Sequence, residues 1–169
     1  MAEQSSSDKV LESLARLGIP HEVMPCDPDF ADTAAFCERY HIAPEDSANT
    51  IIVASKKEPV QYAACLALAT TRVDVNRSVS TLMGIKRLSF ASSEQTAQLT
   101  GMMGGGVTIF GLPDGVPIYI DGRVMRRESI IVGGGSRSMK IRLDPAGLNL
   151  LPGASVVEGL ATEPAPRIS

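Results

Sequence analysis

The sequence lacks tryptophan, has few other aromatic residues and contains only three cysteines. These shortages exclude an aromatic core and a dense disulfide framework. Aromatic residues make up 4% of the 169 residues and hydrophobic residues 44%, so the sequence predicts an aliphatic core. Cys26, Cys37 and Cys65 form an odd set without a Cys-x-x-Cys pair. This set favours a reducing cytoplasm over a disulfide framework.

Long hydrophobic runs are also missing. No apolar run reaches the ~18 residues of a membrane-spanning helix, and the first residues, MAEQSSSDK, lack the basic start and apolar stretch of a signal peptide. We therefore expect a cytoplasmic protein that does not contact a membrane. The length predicts one domain over residues 1–162, followed by a flexible tail over 163–169 that contains two prolines.

Patterns for metal binding and nucleophilic catalysis are weak. Cys37 and His41 are four residues apart, but they flank the predicted end of a helix, and no other His or Cys pair has a standard ligand spacing. The sequence contains no Gly-x-Ser-x-Gly motif. Asp27 follows Cys26 directly, and a neighbouring carboxylate disfavours a thiolate. The sequence therefore predicts neither a metal nor another cofactor.

The charge is slightly negative overall but unevenly distributed. A net charge of −3 gives the whole molecule no attraction to nucleic acid. Residues 118–143 nevertheless contain six basic and two acidic residues. Two interpretations of this basic segment stay open: a solvated hairpin face, or a patch that faces phosphate groups.

Apolar periodicity and capping residues predict alternating helices and strands. Gly18 is predicted to end the first helix, and Ser92 with Gln95 has the spacing of a capping box. A turn at 121–122 is expected between two strands. The predicted fold is α/β, with a mixed, curved, barrel-like sheet of about six to seven strands and helices around it. Helices are predicted up to Leu17 and at 34–40, 74–83 and 93–101, and strands at 21–26, 50–54, 60–68, 87–91, 107–110, 117–120, 129–132, 139–143 and 154–157.

Two runs of three glycines are the most unusual local feature. Gly104–Gly106 follows Met102 and Met103 and precedes a β-like run, and residues 133–135 join two predicted strands. Glycine destabilises an element interior by roughly 0.5–1 kcal/mol relative to alanine. Neither run fits a P-loop or a dinucleotide fingerprint. The runs are either tight turns without a ligand, or backbone N–H groups presented to a carbonyl or an oxyanion, with the methionines lining a pocket.

The order of these landmarks resembles the YbaK/prolyl-tRNA synthetase-associated domain family, the trans-editing aminoacyl-tRNA deacylases. The likeness spans about residues 10–160 and is carried by LGIPHEV, HIAPEDSANTIIVAS, the stretch from VDVNRS to GGGVTIFG, and IYIDGRVMRRESIIVGGGSRSMKIRLDP. It implies a mixed sheet with surrounding helices and a cleft for the terminal adenosine and a small side chain. It also implies that water hydrolyses the ester of a mischarged tRNA, without a metal or a covalent intermediate.

The resemblance also implies roles for individual residues. By position, it assigns catalysis to Asn49, Gly105, Gly106 and Val107, with the glycine-loop amides holding the aminoacyl carbonyl. The residues expected to bind substrate are Cys26, Thr50, Met102, Met103, Thr108, Gly111, Asp121, Gly133, Gly134 and Ser136.

Three positions depart from the family pattern. Asn49 stands where the family has a lysine, Ile109 where it has the loop proline, and Cys26 where it has a strand-end tyrosine. Asparagine can donate a hydrogen bond but carries no charge. Two functions stay open: a deacylase for tRNA mischarged with a small amino acid, which would serve translation fidelity, or a non-catalytic module that binds tRNA 3′ ends or an aminoacyl-tRNA synthetase. A pocket for an unrelated small molecule is a third interpretation, and we expect a monomer or a homodimer.

Overall fold

The structure is a computed structural model, and it describes residues 2–164. Five α-helices and ten strands form in this part of the chain. The helices are α1 Ala2–Leu17, α2 Thr33–Tyr40, α3 Ser80–Met83, α4 Ser93–Thr100 and α5 Gly122–Met125. The strands are β1 Glu22–Pro25, β2 Ala48–Ser55, β3 Tyr62–Leu68, β4 Arg72–Val73, β5 Leu88–Phe90, β6 Ile118–Asp121, β7 Ile130–Gly133, β8 Met139–Leu143, β9 Ala154–Val157 and β10 Ala161–Thr162. Short 3₁₀ or π turns lie at Pro28–Phe30, Pro44–Asp46, Val75–Val79 and Pro145–Leu150.

The strands form three sheets rather than the single sheet of six to seven strands that the sequence predicts. A five-stranded sheet has the order β5-β2-β3-β6-β9, with antiparallel pairing from β5 to β3 and parallel pairing from β3 to β9. A three-stranded antiparallel sheet has the order β1-β8-β7, and β10 pairs with β4. Within residues 2–164 the large sheet keeps free edges at β5 and β9, so no closed barrel forms. The mixed α/β class is confirmed.

The two faces of the large sheet bury different clusters. One face carries Ile52, Leu66 and Ile120, which pack with Val10 and Leu14 of α1. The other face packs under the π turn, β5 and β10 in a cluster of Val53, Cys65, Ala67, Val73, Val75, Val79, Leu88, Leu160 and Ala161. Each fully buried aliphatic side chain contributes about 1.5–3 kcal/mol, so an aliphatic core can stabilise this chain without tryptophan.

Most local signals in the sequence produce the predicted element. Gly18 ends α1 with a φ of 68°, and Ser92 and Gln95 form the capping box of α4. Asp74 caps the π turn by accepting from the N–H of Arg77 at 3.2 Å. The hairpin of β2 and β3 forms in one continuous register from Ala48–Leu68 to Ala54–Tyr62.

Two local predictions are wrong. No strand forms at 107–110, because the glycines before it bond to another loop, and Ile109 and Phe110 are buried in the core as irregular backbone. The turn predicted at 121–122 is instead the start of α5, with Asp121 at its N-cap.

Two residues of the predicted tail belong to the described part of the chain. Glu163 and Pro164 are exposed, and the remainder of the predicted tail, 165–169, lies outside the described residues. None of the described helices is both long and apolar enough to cross a membrane.

Candidate active site at the glycine loop

The two glycine runs pack against each other, backbone to backbone. We call residues 104–107 the glycine loop and residues 134–138 the β7–β8 turn. The N–H of Gly135 donates to the carbonyl oxygen of Gly106 at 2.8 Å. A Cβ on Gly106 would lie 2.7 Å from the backbone of Ser136, and one on Gly133 would collide with the carbonyl oxygen of Val107. These glycines are therefore needed for the close approach of two loops.

Arg137, in the β7–β8 turn, holds the start of the glycine loop. Its Nη1 donates to the carbonyl oxygen of Gly104 at 2.7 Å and to Oδ1 of Asp32 at 3.0 Å. Its Nε and Nη2 donate to the carbonyl oxygen of Pro28 at 3.1 and 2.8 Å. The planar guanidinium group thus joins the loop to the segment before α2. Asp32 is the N-cap residue of α2 but makes no side-chain capping bond there.

Lys140, on β8, holds the next carbonyl group of the loop. It is buried, and its Nζ donates to the carbonyl oxygens of Gly105 at 2.6 Å and Ala31 at 2.7 Å. The ammonium group lies 5.3 Å from the centre of the Phe36 ring. Burial lowers the pKa of Lys140, while the nearby Cys26 thiol acts in the opposite direction. Two carbonyl groups and one aromatic face satisfy this amine where water is excluded.

These contacts determine which way the loop amides point. In a trans peptide the C=O and the following N–H point in opposite directions. Because the β7–β8 turn holds the carbonyl groups of Gly104 and Gly106, the N–H groups of Gly105 and Val107 both point away from that turn. Within residues 2–164, neither N–H has a hydrogen-bond acceptor. Two bare donors, two residues apart, therefore lie on one side of the loop.

The N–H of Gly106, which was predicted to hold the aminoacyl carbonyl, already has an acceptor next to the loop. It donates to the carbonyl oxygen of Met103 at 2.9 Å and closes a tight turn. Gly105 has a φ of 85°, and a Cβ there would lie 2.7 Å from Nη1 of Arg137 and 2.9 Å from Cβ of Ala31. The backbone of the loop therefore offers an anion or a carbonyl oxygen two N–H groups, those of 105 and 107, rather than three.

Asn49 lies beside a cavity of about 500 Å³. Its Oδ1 accepts a hydrogen bond from Oγ1 of Thr33 at 2.7 Å, which leaves its amide NH₂ to donate elsewhere. The cavity is lined mainly by small and apolar groups from α2, from the segment before β2 and from the end of β3, namely Thr33, Ala34, Cys37, Glu38, Ile42, Pro44, Asn49 and Ala69. The glycine loop does not line this cavity.

One short segment joins the cavity to the loop. Ala31 contacts Gly105, and both of their carbonyl oxygens bind Lys140. Thr33 bonds Asn49 and lines the cavity. The chain from Ala31 to Thr33 spans at most ~7 Å. The bare amides lie near Ala31 at one end of this segment, and the Asn49 cavity lies at Thr33 at the other end.

Several predicted substrate-binding residues lie elsewhere. Met102 is 1% exposed and belongs to the core, while Met103 is 54% exposed beside the loop. Thr108 is fully buried. Gly111 lines cavities beside α1 and α4, away from Asn49. Asp121 is buried, and its Oδ1 accepts from the N–H of Ala161 at 3.3 Å.

The remaining predicted residues divide between the core and the loop region. Thr50 follows Asn49 on β2, so its side chain faces the opposite side of the sheet, and its Oγ1 is buried without a partner among the described residues. Cys26 is buried in the cluster of Phe36 and Ile131. Gly134 and Ser136 lie in the β7–β8 turn, where a Cβ on Gly134 would lie 2.6 Å from the carbonyl oxygen of Met139.

The cysteines are poorly suited to nucleophilic chemistry. Burial raises the pKa of the Cys26 and Cys37 thiols, and the charge of Lys140 only partly opposes this. Burial raises the pKa of Cys65 to about 12. Neutral thiols are weak nucleophiles.

Among residues 2–164, no group of three or more His, Cys, Asp or Glu side chains is arranged to hold a metal ion.

The basic segment is largely neutralised by acidic partners. Arg126 pairs with Glu158 at 2.8 Å, and Arg127 pairs with Asp46 at 2.7 Å. Arg123 lies 3.9 Å from Asp121, and Arg137 and Lys140 serve the glycine loop. Of the two interpretations left open for this segment, these pairings favour the solvated face over the patch that faces phosphate groups.

Sequence reasoning missed the residues that orient the loop. Arg137 and Lys140 contribute only charge to the sequence prediction, and neither Ala31 nor Thr33 is predicted to have a role at the site. A signal was present for the two cations. Arg137 follows the second glycine run closely, and Lys140 stands among apolar residues of β8 where a buried strand would not place an unpaired amine.

Comparisons with known proteins indicate the family and the fold of the chain. The family model described as "Aminoacyl-tRNA editing domain" matches residues 27–150. The crystal structure of hypothetical protein APE2540 is similar, with a TM-score of 0.81 and 22% identity, covering 91% of this chain and 99% of that one. A candidate trans-editing enzyme for prolyl-tRNA synthetase gives a TM-score of 0.77 and 21% identity, covering 90% and 95%. At these identities the two likenesses show the fold.

Proposed function

Because the chain belongs to the aminoacyl-tRNA editing domain family, we propose that it hydrolyses the ester bond of tRNA mischarged with a small amino acid. The observation that carries this proposal is the pair of bare N–H groups at Gly105 and Val107. An ester carbonyl oxygen becomes negatively charged when water attacks it, and preorganised backbone donors stabilise that charge. Removing one such donor typically costs ~10²–10³ in rate.

The chemistry proceeds by addition and elimination at the ester carbon. Water adds to the carbonyl carbon, and the oxyanion that forms accepts from the N–H groups of Gly105 and Val107. Collapse of this intermediate breaks the bond between the carbonyl carbon and the ribose oxygen. The water proton passes to that ribose oxygen with help from the neighbouring ribose hydroxyl, so the products are the free amino acid and uncharged tRNA.

Asn49 and its cavity have a binding role in this proposal. The amide NH₂ of Asn49 donates to the substrate, while Thr33 fixes the side chain by bonding its Oδ1. The cavity has a mainly apolar lining of Ala34, Ile42, Pro44 and Ala69, with Glu38 as its charged residue. A small uncharged amino-acid side chain suits this lining, and the carboxylate of Glu38 suits the α-ammonium group.

One observation favours a second function, a non-catalytic module that binds tRNA 3′ ends or a synthetase. Asn49 is uncharged, and because Thr33 engages its Oδ1, its neutral NH₂ group is what it can offer a ligand. A site with this residue supplies less stabilisation to a developing anion than one with a charged donor. Under this alternative the protein binds the RNA end but leaves the ester intact.

The test measures amino-acid release from alanyl-, seryl-, cysteinyl- and prolyl-tRNAs with and without the protein. We expect faster release for at least one of these tRNAs, and loss of that release in Gly105→Ala. Gly18→Ala is the matched control, because Gly18 has a φ of 68° and nothing within 4 Å of a new Cβ. No release from any of the four, while tRNA binding persists, would establish the non-catalytic alternative.

A further inference from the structure

Nine basic side chains among residues 2–164 but outside the basic segment have no acidic partner, and six of them lie around β4, β5 and the turn after β2. Arg72, Arg77, Lys86 and Arg87 lie around β4 and β5, and Lys56 and Lys57 lie in the turn after β2, where the N–H of Lys56 donates to the carbonyl oxygen of Arg87 at 3.0 Å. All six are exposed. Within residues 2–164 none of their side chains forms an ion pair or a hydrogen bond. The other three, Lys9, Arg16 and Arg39, lie on α1 and α2, so two-thirds of these unpaired cations collect around β4 and β5.

Two of these cations, Arg72 and Arg77, line a groove that contains an exposed aromatic ring. The groove has a volume of about 570 Å³ and runs between residues 72–77 and 88–90, with Thr162 at its side. Phe90 is 52% exposed on β5, an edge strand of the large sheet. Asp74 is the acidic residue in the groove lining, and its Oδ1 is engaged by the N–H of Arg77. We call this feature the basic groove.

The basic groove lies on the same face of the sheet as Asn49. Side chains alternate along a strand, so Asn49, Ile51 and Val53 of β2 share one face. Phe90 is paired with Val53 in the antiparallel register, and paired residues point to the same side. Asn49 and Val53 are about 14 Å apart along the strand. Ala69 lines the Asn49 cavity and Arg72 lines the basic groove, and three residues of chain span at most ~11 Å. We therefore take the cavity and the groove to be within reach of one nucleic-acid strand.

We propose that the basic groove binds the RNA strand that leads to the 3′ end in the Asn49 cavity, with Phe90 stacking on a base. This inference rests on the proposed function, because it takes the ligand end at Asn49 to be that of a tRNA. Arginine and lysine neutralise phosphate groups, and an exposed aromatic ring stacks on unpaired bases whatever their sequence. An acidic peptide would use the cations but would not need the aromatic ring.

The test measures tRNA binding to the full chain across a range of salt concentrations. The probes are an uncharged tRNA and an acceptor-stem minihelix with its single-stranded 3′ end. Arg72→Ala with Arg77→Ala removes two groove cations, and Arg126→Ala with Arg127→Ala removes two paired cations from the basic segment. We expect the groove variant to bind about tenfold more weakly at low salt, with a log–log salt slope smaller by about 1–2. The control should change neither quantity.

The aromatic ring is tested separately. Phe90→Ala should weaken binding about tenfold with an unchanged salt slope, since stacking involves no phosphate. Val156→Ala is the control, because Val156 is 48% exposed on β9, the opposite edge strand. Unfolding midpoints are measured for every variant.

Three binding results would contradict the proposal that the basic groove binds RNA. They are equal losses in the groove and control variants, unchanged binding in the groove variant, and tighter binding to vesicles containing one-quarter anionic lipid than to tRNA. The proposed function fails separately, when no mischarged tRNA is hydrolysed. Deacylation that proceeds with an unchanged KM in the groove variant would reject the groove while keeping the deacylase.

Discussion

The guanidinium group of Arg137 donates to the carbonyl oxygen of Gly104 at 2.7 Å, and this contact turns the following N–H, that of Gly105, away from the β7–β8 turn. A side chain thus sets the direction of a main-chain donor through one rigid peptide plane. Lys140 and Gly135 do the same for the next two carbonyl groups of the glycine loop. The following predictions test this arrangement.

Replacing Arg137 should reduce activity more than stability. Arg137→Met removes the contact with Gly104, so the peptide plane can rotate and the Gly105 donor is lost from its position. We expect kcat/KM for deacylation to fall by about 10²–10³, with a loss of about 1–3 kcal/mol in unfolding free energy. Arg127→Met is the matched control, since Arg127 pairs with Asp46 outside the glycine loop. Equal activity in the two variants would contradict an orienting role for Arg137.

Replacing Lys140 should reduce both stability and activity. Lys140→Met leaves the carbonyl oxygens of Gly105 and Ala31 without their donor, and each unsatisfied buried group costs about 1–3 kcal/mol. Lys140→Arg keeps the charge and the donors, so it should recover part of the loss in urea denaturation and in the deacylation assay. A Met variant as stable and active as the natural protein would show that Lys140 does not hold the loop.

Cys65 should make the protein less stable at alkaline pH. Its pKa in the folded protein is about 12, against 9.0 for an ordinary thiol, because burial disfavours the thiolate. The unfolded chain therefore loses this proton first, and the unfolding free energy falls as pH rises from 9 towards 12. Urea denaturation between pH 8 and 10.5 should show a shallower decline in Cys65→Ala. Val53→Ala, a cavity-forming change in the same cluster, should keep the steep decline.

A charged donor at position 49 should increase activity. Asn49→Lys introduces an ammonium group beside the cavity, and charge-assisted hydrogen bonds are about twice as strong as neutral ones. We expect deacylation to rise about tenfold, and to fall in Asn49→Ala, measured with the same mischarged tRNA. Unchanged release in both variants would remove Asn49 from the site.

The sequence predicted those parts of the fold that depend on local chemistry. Gly18 and the Ser92–Gln95 box each act through neighbouring residues, and each stands where it was predicted. The strand predicted at 107–110 did not form, because the carbonyl oxygen of Gly106 bonds to Gly135, which lies far along the chain. Apolar periodicity cannot report such a partner.

The site was predictable to a similar extent. The glycine runs indicated a bare backbone. Only the fold shows that the N–H of Gly106 donates to Met103, while the N–H groups of Gly105 and Val107 have no acceptor among the described residues. The charge of the basic segment was compatible with a solvated hairpin face and with a patch that faces phosphate groups. The acidic partners of Arg126 and Arg127 are Glu158 and Asp46, which lie 32 and 81 residues away in sequence. Such contacts between residues far apart in sequence determine which basic side chains remain unpaired and able to bind a ligand.

The most direct measurement follows the backbone amides of the ¹⁵N-labelled protein by NMR during titration with aminoacyl-adenosine analogues. The analogues carry alanine, serine, cysteine or proline through a non-hydrolysable amide at the 3′ position. We predict saturable downfield shifts of the Gly105 and Val107 amide protons for at least one analogue, with little change at Gly106. Saturable binding that leaves the amides of 105 and 107 unmoved, or no saturable binding of any analogue, would contradict the account.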